Sequence, residues 1–292
     1  MILAIGEILA DLVGDNNGEK LSFNAFAGGA PFNVAVNAKQ AGAKVGFVGR
    51  VGDDPIGRFL KSFIEKVEFD YLDLQIDETR NTTLAFVTLT DGERDFAFHR
   101  HDTADFNISV DKIDFCTPEF NIIHLGSLML SEKSGRKCAD LVLKKAKKAK
   151  KILSFDVNLR MDLYKDLDEA IKTYLPYVKS ADIIKFSDDE ITSFTKKDNL
   201  EDAINEIYRK DTLMLISLGS KGSMYKYNDL SGTVATEKVK PIDTTGAGDS
   251  FFGTFLANIE NKEWTKENIE NALILANKAG ARTTQFYGGV KL

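Results

Sequence analysis

Cysteine is scarce in this chain of 292 residues: there are two, Cys116 and Cys138, far apart and without CxxC spacing. That excludes a disulfide framework and a thiolate zinc site, and both residues read as buried free thiols. Histidine is limited to His99, His101 and His124. No HExxH or other ligand spacing occurs, so a histidine metal centre and Ser-His catalysis are excluded, and the His99-Arg100-His101 run reads as part of a polar strand. No apolar run approaches the roughly 18 residues of a membrane span. The start, Met-Ile-Leu-Ala-Ile-Gly, meets acidic residues without a basic leader, so the expectation is a cytoplasmic protein with no membrane partner. A net charge of −6 argues against a broad nucleic-acid surface. Neither GxxxxGKS/T nor GxGxxG is present, which removes the P-loop and the Rossmann fingerprint. There is no repeat, low-complexity tract or proline-rich linker, so residues 1–292 are expected to form one domain with a small appendage.

What is present is a rhythm. Ile2–Ile5, Val45–Val48, Asn121–Leu125, Ile152–Phe155, Ile183–Ile184 and Leu213–Ile216 read as buried strands separated by amphipathic helices, the pattern of an α/β fold whose mostly parallel sheet is covered on both faces. Polar residues follow these strands: Glu7 and Asp11, Gly49 to Asp53, Gly126 and Ser127, Asp156 with Asn158 and Arg160, Ser187 with Glu190, Ser217 with Gly219. Ligands of open α/β sheets bind beyond the carboxyl ends of the strands, so these groups should converge on one edge. Two segments, 12–27 and 82–104, break the rhythm with polar/apolar alternation, as in Thr83-Leu84-Ala85-Phe86-Val87-Thr88-Leu89, and the second contains an Asp91-Gly92 turn signal. They form either a small separate sheet lying over the strand ends as a lid or an extension of the main sheet. The lysine-rich stretch Lys144 to Lys151 is interleaved with Cys138, Leu141, Val142, Ala146 and Ala149 at helical spacing, which predicts a solvated helix face. Trp264, followed by Thr265 and Glu267, reads as packing near a helix start.

The strongest chemical signal is Asp243-Thr244-Thr245-Gly246-Ala247-Gly248-Asp249-Ser250, followed by Phe251, Phe252, Phe255, Leu256 and Ile259 at helical spacing. Amides at a helix start lack intrahelical acceptors and lie at the positive end of the dipole, so Gly246, Ala247 and Gly248 form an anion cradle. An aspartate in such a cradle would repel a phosphate unless it receives a proton during the reaction; Asp249 therefore reads as a general base. A second segment, Gly28-Gly29-Ala30-Pro31-Phe32-Asn33-Val34-Ala35, continues to Gly49-Arg50-Val51-Gly52-Asp53-Asp54-Pro55-Ile56-Gly57. Pro31 suits a first helical position, leaving Gly28 and Gly29 open to a small polar ligand, and Asn33 and Asp11 suit sugar hydroxyls.

These two segments, in this order and separation, resemble the signatures of the ribokinase-like, or phosphofructokinase-B, carbohydrate kinases, and the resemblance extends over essentially the whole chain. Gly-Gly-Ala-Pro-Phe-Asn-Val-Ala, Phe155-Asp156-Val157-Asn158-Leu159-Arg160 and Lys185-Phe186-Ser187-Asp188-Asp189-Glu190 are most similar to bacterial fructokinases. The resemblance implies a three-layer fold with a β lid and transfer of the γ-phosphate of ATP to a sugar hydroxyl, fructose first. Asp249 would be the base, aided by the amides of Gly246, Ala247 and Gly248. Asp11, Gly28, Gly29, Asn33 and Arg160 would bind the sugar, with Phe98 and Arg100 closing from the lid. Lys185, Ser187, Ser217, Gly219, Gly222 and Asn277 would hold the nucleotide, and Glu190 would act through water on Mg2+. Asp243 and Thr245 match positions that hold a monovalent cation, K+, in several members. Ser187 stands where many relatives carry asparagine, and Thr283-Thr284-Gln285-Phe286-Tyr287-Gly288-Gly289 departs from the usual basic-glycine-alanine pattern. The nearest rival is a 2-keto-3-deoxygluconate kinase, for which Arg100 and Arg160 suit a carboxylate; ribokinase and nucleoside kinase follow, and a catalytically silent sugar-binding regulator is the non-enzyme alternative. Exposed lid edges predict a homodimer.

Overall fold

The computed structural model describes residues 1–16, 20–90 and 93–292. In chain order the first half forms β1 (Ile2–Ile5), β2 (Leu9–Asn16), β3 (Leu21–Gly28), α1 (Ala30–Gln40), β4 (Val45–Gly52), α2 (Pro55–Glu65), β5 (Tyr71–Asp77), β6 (Leu84–Thr90), β7 (Glu93–His99) and β8 (Ile122–Leu125). The second half adds α3 (Lys133–Lys148), β9 (Ile152–Asp156), α4 (Leu167–Val178), β10 (Ile183–Ser187), α5 (Asp188–Thr195) and α6 (Leu200–Ile207). It ends with β11 (Leu213–Ser217), β12 (Ser223–Tyr227), β13 (Leu230–Val234), α7 (Ala247–Ile259) and α8 (Lys266–Thr283).

Nine strands form one sheet in the order β13-β12-β11-β10-β9-β8-β1-β4-β5. Pairing is parallel from β11 to β5 and antiparallel only at β11-β12 and β12-β13. The central strand β1 shows why it is central: all four residues are buried. Successive side chains point to opposite faces, so Leu3 and Ile5 join one core, with Phe155, Tyr174 and Val142, while Ile2 and Ala4 join the other, with Phe32, Phe252 and Leu273. Helices α3 to α6 cover the first face, and α1, α2, α7 and α8 the second. The strands the sequence did not announce, β5, β12 and β13, lie at the ends of the sheet and are only partly buried.

The remaining strands form a separate four-stranded sheet in the order β3-β2-β6-β7, with β2 parallel to β6 and the other pairs antiparallel. It is therefore no extension of the main sheet. The Asp91-Gly92 turn lies outside the described residues. Among the described residues no helix is long and apolar enough to cross a membrane. Cys138 is buried as expected, but Cys116 is exposed, because it lies in an irregular turn between the buried Phe115 and Phe120; both are free thiols. Trp264 packs edge-on against Tyr227, with ring centroids 5.2 Å apart, immediately before the Thr265 cap of α8.

The contact of α1 with α7 sets the geometry at the carboxyl edge of the sheet, because both helices begin there. Gly253 lets them approach: a Cβ there would lie 2.3 Å from the carbonyl oxygen of Val34. Gly253→Ala should therefore force the helices apart and cost about 1–3 kcal/mol, seen as a lowered urea midpoint; an unchanged midpoint would show that the helices can yield.

Candidate active site

The carboxyl ends of the strands open into two neighbouring cavities. One, of about 420 Å3, is lined by Asp11, Asn33, Phe98, Arg160, Lys185 and Asp249, among others. The second, of about 550 Å3, runs along Gly219, Gly222, Thr236, Ala247, Asn277 and Thr284. Ser217, Thr244 and Gly248 line both, so the two spaces meet at the start of α7.

That start is built as the motif predicts. Gly246 caps the helix in the left-handed region, φ 73°, and a Cβ on it would fall 2.4 Å from the Cα of Gly289, so no other residue fits. Asp249, in the first turn, is oriented by Asn33, whose Nδ2 donates to its Oδ2 at 2.8 Å. Burial pushes the Asp249 carboxyl up, opposed by the Asn33 amide and by the charges of Lys185 and Arg160. Across the cavity Asp11 lies against Gly28, where a Cβ would come within 2.1 Å of its Oδ2. Burial, then the charges of Asp249 and Asp243, push Asp11 up to about 7.

Lys185 is paired at 2.8 Å with Asp156, at the end of the neighbouring strand. Burial costs the ammonium, but Asp156 and Glu190 outweigh that and hold its pKa above the ordinary lysine range. Its Nζ would lie 3.2 Å from a Cβ at Gly248, beside the amide cradle. Asp156 was legible only as a polar residue after a strand; its role as the partner of Lys185 depends on β9 pairing with β10.

Ser187 and Glu190 form a reciprocal cap of α5: Ser187 Oγ accepts from Glu190 N at 3.2 Å and Glu190 Oε2 from Ser187 N at 2.7 Å. Both still line the first cavity. Asn277 Nδ2 donates to the Val234 carbonyl at 2.9 Å, fixing its place in the second cavity. Asp243 Oδ1 accepts from Thr245 N at 2.6 Å and its Oδ2 from Gly288 N at 3.1 Å, joining the loop before α7 to the C-terminal segment.

Gly28 stands against Asp11 without lining the first cavity, and Arg100 does not line it either. Its guanidinium is buried, ion-paired with Asp105, donates to the Leu128 carbonyl at 2.8 Å and stacks 4.1 Å over the Phe106 ring. Phe98, two residues earlier, does reach the cavity. The acid that claims Arg100 lies five residues downstream and is brought there by the turn after β7.

The profile of the pfkB family carbohydrate kinases matches residues 1–291. The chain belongs to this family. Among its relatives, the Arabidopsis thaliana protein named probable fructokinase-2 is 35% identical, the match covering 99% of this chain and 92% of that one. A fructokinase from Vibrio cholerae O395, solved with fructose, ADP and calcium, superposes with a TM-score of 0.89 at 30% identity, covering 99% of this chain and 94% of that one. A double mutant of that enzyme, solved with fructose, ADP and potassium, has the same TM-score and identity, covering 99% and 93%. This pfkB chain is an ATP-dependent sugar kinase with the ribokinase-like three-layer architecture.

One buried acid beside the site has no evident partner. Glu7 is fully buried, both of its carboxylate oxygens lack hydrogen bonds, and Oε2 lies 3.0 Å from where a Cβ on Gly126 would be. Burial pushes it from about 4.5 to about 7, against the pull of Arg100. A raised folded-state pKa means that the native protein holds this proton after the unfolded chain has released it. Stability is thus greatest below about pH 4.5 for this group and is lost as pH rises to about 7, by up to about 3 kcal/mol. Glu7→Gln should remove that loss and be the more stable protein at pH 8 but not at pH 5 in urea melts; parallel pH profiles for both proteins would contradict it.

Proposed function

We propose that this kinase phosphorylates fructose at its C6 hydroxyl, with Asp249 as the base. The observation that carries the reading is the position of the Asp249 carboxylate: half-buried, oriented by Asn33, in the first turn of α7 beside the Gly246–Gly248 amides, where sugar-side and nucleotide-side cavities meet. The sugar would rest on Asp11, Gly29, Asn33 and Arg160 beneath Phe98, the small sheet acting as its lid. Asp249 takes the hydroxyl proton as the sugar oxygen attacks the γ-phosphorus; the bond to the β-phosphate oxygen breaks and ADP leaves. The amides, Lys185 and Arg160 stabilise charge on the transferring group, and the closed cavity keeps water from competing.

Among the described residues no group of three or more His, Cys, Asp or Glu could cage a metal. That suits magnesium, which retains waters and binds through phosphates and one or two carboxylates; Glu190 would hold it through water. Magnesium, when bound, would neutralise the nucleotide phosphates. Potassium would lie against Asp243 and Thr245; a related fructokinase from Vibrio cholerae O395 was solved with potassium bound. Two free cysteines and the use of ATP fit a cytoplasmic reaction.

Arg100 favours fructose over a sugar acid: with its guanidinium committed to Asp105, Arg160 alone of the two arginines lines the sugar-side cavity. A coupled ADP-release assay with fructose, ribose, ketodeoxygluconate and nucleosides should give fructose the highest kcat/KM. Asp249→Asn should then lower turnover by roughly 10²–10⁴-fold with ATP binding retained. A preference for the sugar acid would replace the substrate, and full turnover by Asp249→Asn would remove the base.

The small sheet also supports a homodimer. Residues 21–25 of its edge strand β3 are all exposed, including Leu21 and Phe23, the kind of edge that proteins cover. Sedimentation at micromolar concentration should show twice the chain mass; a monomer would leave the edge uncovered and end this assignment.

A further inference from the structure

The lysine run from Lys144 to Lys151 plays no part in the reaction. It borders a cavity of about 730 Å3 at the amino ends of β9, β10 and β11, the end of the sheet opposite the active site. Six cations line this cavity: Lys144, Lys147, Lys150, Lys151, Lys179 and Arg209. They come from the end of α3, the end of α4 and the connection before β11. The lining acids are two, Asp182 and Asp211, and Asp182 Oδ2 already accepts from Leu153 N at 2.7 Å.

A solvated amphipathic helix accounts for lysines on α3, and the helix dipole favours some of them in its last turn. Neither accounts for Lys179 and Arg209 arriving at the same cavity from other elements. The charges also differ in how far they are committed. Lys145 points away and donates to the carbonyls of Val110, Asp111 and Ile113 at 2.6, 3.0 and 3.1 Å, while Lys151 donates to the Thr117 carbonyl and Arg209 to the Ala181 carbonyl. Among the described residues, the side chains of Lys144, Lys147, Lys150 and Lys179 make no hydrogen bond or ion pair. Lys150 moreover occupies the left-handed region, φ 53°, just past the α3 C-cap, where glycine or asparagine is favoured. A side chain held at that cost in a chain with a surplus of acids suggests that its charge is used.

We infer that this cavity binds a small polyanion bearing several phosphate groups, at a site remote from the catalytic one. Ammonium groups on flexible stems can converge on several phosphate oxygens at once. A small ligand fits better than a nucleic acid or an anionic bilayer, because the site is concave and the protein around it has a net charge of −6.

Trp264, the only tryptophan of the chain, lines this cavity and reports on it directly. The full-length protein is titrated with sodium tripolyphosphate at about 0.15 M salt, where exposed charges more than about 8 Å apart are screened. A saturable change in tryptophan fluorescence is expected. It should weaken by at least about tenfold in a Lys147→Ala/Lys150→Ala variant and by less in Lys179→Ala, with the KM for ATP unchanged in both. A Lys112→Ala/Lys137→Ala variant, which removes equal charge outside the cavity, should bind as the parent does. No saturable change would overturn the site, as would equal weakening in the two double variants, which would mark general charge attraction.

Discussion

The structure depends on holding the half-buried Asp249 carboxylate in a cavity that is already crowded with acids. Asp11, Asp156 and Glu190 line the same cavity, and Asp243 acts on Asp11 from the loop before α7. Burial of several carboxylates in one place is tolerable only if some hold protons and others have close partners. Both devices operate. Lys185 pairs with Asp156, Asn33 donates to Asp249, and Arg160 acts on both Asp249 and Asp11. Asp11, pushed up to about 7, can donate to a sugar oxygen when protonated and accept from a hydroxyl when ionised. An acid of either state can thus serve a polyol, whereas a cation can only donate to it.

This balance is maintained by helix packing as much as by charge. Asn33 is in the first turn of α1 and Asp249 in the first turn of α7, so their 2.8 Å hydrogen bond is only as constant as the crossing of the two helices. That crossing rests on Gly253 against Val34 and on Phe252 and Phe255 in the core below. The apolar face of α7 and its first turn are one rigid element, which is how a core contact comes to govern the place of the Asp249 carboxylate.

Much of this was legible because it is written in local patterns. A buried parallel strand needs an unbroken apolar run, as β1 has, and a helix that begins with small residues and continues with phenylalanines at helical spacing declares both its cradle and its core face. The end strands β5, β12 and β13 escaped because, only partly buried, they carry no unbroken apolar run. The parallel pairing of β2 with β6 was not readable either, since the partners are more than 70 residues apart. Arg100 shows the same limit at smaller scale: an arginine at the end of a polar strand looks available until the chain turns and brings Asp105 to it. Glu7 offered only the signal of an acid after a strand; that both its oxygens are buried without partners is a property of the packed structure.

The C-terminal segment shows the opposite case, a departure in sequence that leaves the geometry intact. Its side chains differ from the family's basic-glycine-alanine pattern, yet its contacts with the site are made largely by main chain. Gly288 N donates to Asp243, the Thr284 carbonyl accepts from Ile242 N and Asp243 N, and Gly289 packs against Gly246. A Cβ on Gly289 would also lie 2.5 Å from Asn33 Nδ2, the atom that orients the base. The requirement at this point is therefore for backbone near backbone, with glycine where the approach is tightest. The side chains of Gln285 and Tyr287, by contrast, are exposed.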